Sequence, residues 1–219
     1  MLTLKFFNND PVWVAKNLLG KVMRVKHKRT WLSVIIIETE AYYLAEKASH
    51  SSLGYTEKRK ALFMPPGTIY MYYARGADSL NVSCKGKGNA VLIKAGIPLM
   101  QEKNTAEKIM QNLNPCKNTN KKRLAEKLCS GQTLLCRSLG LKVKDWDQKQ
   151  FDSKEFYLEE IGIKPKKIIQ TYRLGIPDGR DGHLLYRFID YDRVKFCTSN
   201  PLTKRNFEEN KDYFILEEF

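Results

Sequence analysis

Apolar residues along this chain occur mainly in short runs that are separated by glycine, proline or clusters of polar residues. One run near the N-terminus, VWVAKNLLG, follows Asp10-Pro11 and ends at Gly20. Asp10 can cap a first helical turn, proline suits that turn, and glycine suits the end of a helix. The pattern therefore predicts a helix that starts after Asp10 and stops at Gly20.

Most other apolar runs are typical of β-strands, because they are short, β-prone and bounded by turn residues. They lie at residues 21–26, 31–43, 68–73, 81–84 and 90–95, and in the later runs IIQTYRLGI and LLYRFID. Pro65-Pro66-Gly67 predicts a turn, and residues 85–89 have the composition of a hairpin loop.

Helical and loop segments fill the remainder. Residues 46–60 predict a loop with some helix, and residues 98–128 predict helix interrupted by the loop NPCKNTNKK. Residues 134–139, which end at Gly140, predict a buried helix. Because no repeat or linker divides the chain, we predict a single domain over residues 1–219. Its expected class is α+β, with a curved, mainly antiparallel sheet flanked by helices.

The run IIIETEAYY, at residues 35–43, begins as a core strand and then carries two glutamates. Strand side chains alternate between faces, which predicts one face made of Ile36, Glu38, Glu40 and Tyr42. The other face, predicted to be the better core face, is made of Ile35, Ile37, Thr39, Ala41 and Tyr43. We therefore expect the carboxylates to emerge where the strand leaves the core. The competing interpretation is a pair of edge-strand charges.

Tyrosines also accompany these glutamates on a second predicted strand. Tyr70 and Tyr72 share one face there, and His50 lies nearby in sequence. A carboxylate beside aromatic rings indicates an aromatic, even cationic, ligand next to a general base. Ordinary sheet packing would explain the tyrosines equally well, because tyrosine has a high strand propensity.

The charge balance indicates the class of partner. The sequence has 38 Lys and Arg against 24 Asp and Glu, a formal net charge of +14. Such a surplus favours a polyanion, with nucleic acid first and an anionic membrane second, over a merely soluble basic protein. The residues that we expect to reach phosphates are Lys58, Arg59, Lys85 and Lys87. Residues 121–123 and 164–167 are better explained as solvated surface.

Cysteine usage and hydropathy exclude several classes of protein. The five cysteines are odd in number and include no Cys-x-x-Cys pair, which argues against a disulfide framework and against a zinc site. No signal peptide or transmembrane-length apolar run is evident. We expect a cytoplasmic protein without a metal or cofactor, and nothing in the sequence demands an oligomer.

Several blocks in fixed order resemble one known family. The blocks are ETEAYY…ASH, LFMPPGTIYMYYARG, NVSCKGKGNAVLIKAGIPL, SGQTLLCRSLGL, YRLGI and YRF. Together, from about Asp10 to Cys197, they resemble the alkyladenine DNA glycosylases, also called 3-methyladenine DNA glycosylases. The resemblance implies a monofunctional enzyme that flips an alkylated or deaminated purine out of double-stranded DNA. It then hydrolyses the N-glycosidic bond with an activated water and leaves an abasic site.

The resemblance also implies roles for individual residues. Glu40 matches the general base that activates the water, and Lys94 stands where the family usually has an arginine near that water. The matched base pocket consists of Tyr42, His50, Tyr72 and Asn81. Asn81 matches the asparagine that crowds the amino group of guanine. Glu38 matches no chemical role and is expected to be a supporting polar residue.

The sequence departs from the family pattern at the DNA wedge, the side chain that fills the gap left by the flipped base. Arg75 stands where the family usually has an aromatic residue. The spacings from Tyr42 to His50 and from Gly76 to Asn81 are each one residue shorter than the pattern. These departures affect damage search and substrate range more than hydrolysis, and the sequence does not specify the preferred lesion.

Three other functions are compatible with parts of the pattern. A catalytically inactive nucleic-acid-binding domain could keep the motifs as a scaffold. A metal-dependent hydrolase could use Glu38, Glu40 and His50, although their spacing is a weak ligand pattern. An ordinary glycosidase could use the paired carboxylates, but the basic surplus does not suit a neutral sugar substrate.

Overall fold

The computed structural model describes residues 1–74, 76–99, 105–116, 121–204 and 206–217. Within these ranges the strands are β1 (Val22–His27), β2 (Thr30–Tyr42), β3 (Ile69–Ala74), β4 (Ala77–Ser83), β5 (Ala90–Pro98), β6 (Phe156–Glu159), β7 (Ile168–Thr171), β8 (Arg187–Asp190) and β9 (Tyr213–Leu216). The α-helices are α1 (Leu4–Phe7), α2 (Pro11–Leu18), α3 (Thr105–Leu113), α4 (Gln132–Leu139) and α5 (Val143–Trp146). Short 3₁₀ helices include His50–Leu53, Glu57–Phe63 and Tyr191–Phe196.

The strands form one sheet around β2. On one side of β2 the order is β5, β4 and β3. On the other side β1 pairs with the first half of β2 and leads to β6, whereas β8 pairs with its second half and leads to β7 and β9. Every pair of these strands is antiparallel, and the sheet does not close. The predicted α+β class, with an antiparallel sheet flanked by helices, is confirmed.

The long strand β2 is central and buried on both faces. All residues from 32 to 41 are buried, and the side chains of Glu38 and Glu40 are 0% exposed. The expectation that these carboxylates emerge where the strand leaves the core is therefore wrong. Strands also flank β2 on both sides at this point, so the competing interpretation of edge-strand charges is wrong as well.

An irregularity in β2 also changes which residues share a face. The pairing of β2 with β5 shifts register between Ile36 and Glu38 and again between Glu38 and Thr39. Ile36 and Ala41 consequently belong to the same main core, whereas Ile35 and Ile37 join a smaller cluster. Strict alternation, with Ile35 to Ala41 as the better core face, is therefore a wrong prediction. A bulge adds one residue to a strand and so reverses the parity beyond it.

Helix α2 covers the main core, as its sequence signals predict. The Asp10 carboxylate accepts a hydrogen bond from the Val12 amide at 2.9 Å, and the helix ends before Gly20 at φ +83°. A Cβ at Gly20 would lie 2.3 Å from the Ile163 carbonyl oxygen, so glycine is required there. The helix is tied to the sheet by Thr39, whose hydroxyl donates to the Ala15 carbonyl at 2.8 Å.

The later part of the chain departs from the predicted strands. The run IIQTYRLGI is extended only through Thr171, and Gly175 then turns at φ +72°. Beyond the end of this strand the Arg173 side chain is buried, at 4% exposed. LLYRFID forms a strand only at Arg187–Asp190, and β6 and β9 were not predicted. Across the described residues, no helix has the length and apolar character needed to cross a membrane.

Candidate active site

A cavity of about 610 Å³ lies beside the C-terminal half of β2. Its size suits a small planar ligand, since ligand sites typically measure about 300–1,000 Å³. It is lined by all six residues that the sequence assigned to base pocket and catalysis: Glu40, Tyr42, His50, Tyr72, Asn81 and Lys94. They come from β2, β3, β4, β5 and the 3₁₀ helix His50–Leu53. Strand pairing therefore gathers residues that lie up to 54 positions apart.

Glu40 is the buried carboxylate of this cavity, and both of its oxygens accept hydrogen bonds. Lys94 Nζ donates to Oε1 at 2.7 Å, and the Tyr42 hydroxyl donates to Oε2 at 2.7 Å. Burial acts to raise the pKa of Glu40, but the charge and hydrogen bond of Lys94, the Tyr42 hydroxyl and Arg187 together lower it. Glu40 is therefore ionised at neutral pH, as a general base must be.

Tyr42 joins the carboxylate to an aromatic wall. Burial and the neighbouring charge of Glu40 raise the pKa of Tyr42 well above 10.0, so the phenol stays protonated and remains a donor. One face of its ring meets the guanidinium of Arg173, whose Cζ lies 4.5 Å from the ring centroid. The ring also lines the cavity.

A second group of rings lining the cavity comes from β3 and the 3₁₀ helix His50–Leu53. The His50 and Tyr72 ring centroids are 4.4 Å apart, and His50 Nδ1 lies 3.0 Å from the Tyr70 hydroxyl oxygen. Partial burial and the positive charges of Arg59 and Arg180 lower the pKa of His50 from 6.5. His50 is accordingly neutral at neutral pH and adds no positive charge to the cavity.

Comparison with known proteins identifies the family of the chain. The sequence model of methylpurine-DNA glycosylases matches residues 5–194. The chain belongs to the methylpurine-DNA glycosylase family. A relative from Pseudomonas savastanoi pv. phaseolicola is 54% identical over 214 residues, which cover 97% of this chain and 96% of the relative. A relative from Clostridium beijerinckii is 34% identical over 182 residues, covering 80% and 88%. Both carry the provisional name 3-methyladenine DNA glycosylase.

Membership of this glycosylase family confirms the resemblance seen in the sequence. It assigns the chain to the hydrolases of DNA base excision repair. Among the described residues there is no group of three or more metal-ligating side chains. Glu38, Glu40 and His50 do not converge on one point, because Glu38 is bound elsewhere.

Glu38 lies outside this cavity, in a separate hydrogen-bonded network. Arg187 Nε donates to Oε1 at 2.7 Å, and the Thr198 amide donates to Oε2 at 2.9 Å. The Thr198 hydroxyl also donates to Oε1, at 2.6 Å. With both oxygens occupied and no contact with the cavity, Glu38 supports the packing of β2 against β8 and the chain that follows it.

Sequence reasoning assigned no role to one whole side of the cavity. The additional lining residues include Gln132 and Thr133 at the start of α4, residues 174–177, and Arg180. Two of these segments lie in the blocks SGQTLLC and YRLGI that carry the family resemblance. Their place in these blocks did not indicate that they line the same cavity as the ETEAY strand, because they lie at least 90 positions away from it along the chain.

The residues expected to contact phosphate lie on two loops that touch each other. Lys58 is exposed, Arg59 is half-buried, and both belong to the 3₁₀ helix Glu57–Phe63. Lys85 and Lys87 are exposed in the loop between β4 and β5. The Gly88 amide of that loop donates to the Leu62 carbonyl at 2.8 Å, and Leu62 lines the cavity. Arg75, the predicted wedge, lies outside the described residues.

Proposed function

We propose that the protein excises alkylated or deaminated purines from double-stranded DNA and leaves an abasic site. A damaged nucleotide rotates out of the duplex into the cavity, which is favoured where pairing is already weak. Glu40 then activates a water that attacks C1′ of the sugar. The observation that carries this proposal is an ionised, fully buried carboxylate at the wall of an aromatic cavity in a chain of net charge +14.

The electrostatics of Glu40 suit this chemistry. Cleavage of a glycosidic bond develops positive charge on the sugar, and a fixed carboxylate stabilises that charge. Lys94 and Tyr42 hold the carboxylate in one orientation. These two hydrogen bonds also prevent the carboxylate from turning away from the water and from the positive charge that develops on the sugar. Lys94 is engaged as a donor to Glu40 and is not free to attack the sugar.

The aromatic walls suit a flipped purine. Tyr42, His50 and Tyr72 all line the cavity, and the ring centroids of His50 and Tyr72 are 4.4 Å apart. A planar base between such rings gains stacking energy of roughly 1–3 kcal/mol per contact. Lys58, Arg59, Lys85 and Lys87 would follow the DNA backbone on loops joined at the cavity, which predicts binding that weakens steeply with salt.

A base-release assay tests the proposed reaction. We expect free base from duplexes carrying 3-methyladenine, 7-methylguanine or hypoxanthine, with the strand cut only after alkali treatment. The rate should be unchanged in chelator, and borohydride should trap no protein–DNA adduct, because water is the nucleophile. Binding of lesion DNA without base release would instead support an inactive nucleic-acid-binding protein. A trapped adduct would refute the water mechanism.

Asn81 is expected to exclude guanine from the cavity. Its side chain is 5% exposed, lines the cavity and donates to the Tyr70 carbonyl at 3.3 Å. Guanine carries an N2 amino group that adenine and hypoxanthine lack. Asn81→Ser should enlarge this wall and raise release of 7-methylguanine relative to hypoxanthine. Equal ratios for the two proteins, measured in single-turnover reactions, would mean that Asn81 does not contact this edge of the base.

A further inference from the structure

Arg173 is a buried cation placed behind the aromatic wall of the cavity. Its Cζ lies 4.5 Å from the ring centroid of Tyr42 and 5.4 Å from that of Tyr186. Tyr42 itself lines the cavity, whereas Arg173 does not, although Leu174 beside it does. The tyrosine ring therefore separates the guanidinium from whatever occupies the cavity.

The guanidinium is fixed in this position by the surrounding chain. Arg173 donates to the Ala41 carbonyl at 2.9 Å and forms an ion pair with Glu46, and both partners are buried. The Glu46 carboxylate is held in turn by the Tyr43 amide, which donates to it at 2.5 Å. Arg173 Nε has no hydrogen-bond partner among the described residues. These contacts hold a permanent positive charge against one face of the Tyr42 ring.

A cation on one face of an aromatic ring changes what the other face binds best. The face of tyrosine attracts cations through its negative quadrupole. Arg173 already uses this attraction from behind and draws electron density towards itself. A second cation stacked on the cavity face gains less from the ring and is also repelled by the guanidinium. A neutral purine carries no charge, so Arg173 neither repels it nor weakens a cation–π attraction to it.

We propose that Arg173 biases the base pocket against positively charged purines and in favour of neutral ones. The inference rests on the proposed function and deepens it, since it concerns which class of damaged base the pocket accepts. Glu40 attracts every cationic base, whatever stands behind Tyr42. The contribution of Arg173 is therefore measured as the ratio of the release rates of a cationic and a neutral base, and not as a single rate.

Two variants should move this ratio in opposite directions. Arg173→Met with Glu46→Gln removes the cation together with its partner, so that no buried charge is left unpaired. Release of cationic 7-methylguanine relative to neutral hypoxanthine should rise roughly three- to tenfold, the scale of one cation–π interaction. Glu46→Gln alone leaves Arg173 uncompensated and should lower the same ratio. Both are compared with the unaltered protein in single-turnover reactions, with enzyme in excess over DNA but below saturation, so that binding of the base contributes to the measured ratio.

A matched pair distant from the cavity controls for changes in packing. Arg24 and Glu159 form a partly buried ion pair between β1 and β6, and Arg24→Met with Glu159→Gln should leave the ratio unchanged. If Arg173 only held the fold together, its variants would slow both substrates by the same factor, which would overturn the inference. If the double variant does not fold, the Glu46→Gln ratio decides alone. An unaltered protein that releases neither base would refute the proposed function, and this inference with it.

Discussion

Replacing Glu40 with glutamine should lower single-turnover base release by roughly two orders of magnitude or more, the usual scale of general-base catalysis. Glutamine keeps the shape of the side chain, and its one carbonyl oxygen can still accept from Lys94, while its amide group can donate to the Tyr42 hydroxyl oxygen. It cannot take a proton from water or balance positive charge on the sugar. Binding of lesion DNA should persist, so the loss should appear in the rate of the chemical step and not in the affinity.

Glu38 offers a matched control for Glu40. It lies on the same strand, is also 0% exposed and is also ion-paired, but it does not line the cavity. Glu38→Gln should reduce stability, whereas each folded molecule should release base at close to the unaltered rate. An inactive Glu38→Gln beside an active Glu40→Gln would show that the two carboxylates have been assigned the wrong way round.

Replacing Arg187 with methionine should destabilise the protein by about 3–5 kcal/mol, the cost of breaking a buried ion pair by removing one partner. Arg187 is 1% exposed and Glu38 is 0% exposed, so the remaining carboxylate cannot reach water. The Thr198 amide and hydroxyl would still donate to it, but neither supplies a positive charge. Urea unfolding of both proteins, followed by circular dichroism, measures the difference.

An exposed ion pair provides the comparison for Arg187. Lys211 and Glu208 lie 3.0 Å apart with side chains 67% and 69% exposed. Lys211→Met should change the unfolding midpoint little, because water and salt already screen such pairs. If Arg187→Met proved equally mild, the buried network around Glu38 would not be the support of β2 that its hydrogen bonds indicate.

Local sequence determined the elements whose signals lie within a few residues. The helix α2 is where Asp10, Pro11 and Gly20 place it, because capping and proline geometry act within one turn. The β4–β5 hairpin likewise follows from the glycines and asparagine of its loop. The ordered blocks of the chain were also sufficient to indicate the family.

Tertiary structure decided which glutamate faces the cavity. Alternation along β2 gave Glu38 and Glu40 equal claims, and only the family resemblance favoured Glu40. In the folded protein Glu38 forms an ion pair with Arg187, which is 149 positions away in the chain. Glu40 forms its ion pair with Lys94. No local pattern contains this information, because the partners come from strands that meet β2 on opposite sides.

The sequence also did not reveal the buried ion pair that lies behind the Tyr42 ring. In the sequence Arg173 belongs to a run that resembles a strand, and Glu46 belongs to a polar loop. They form a buried pair across 127 positions and set the surroundings of Tyr42. A buried charge needs a partner, but the sequence does not state which one. The tertiary fold decides that, because it determines which distant segments are excluded from water together.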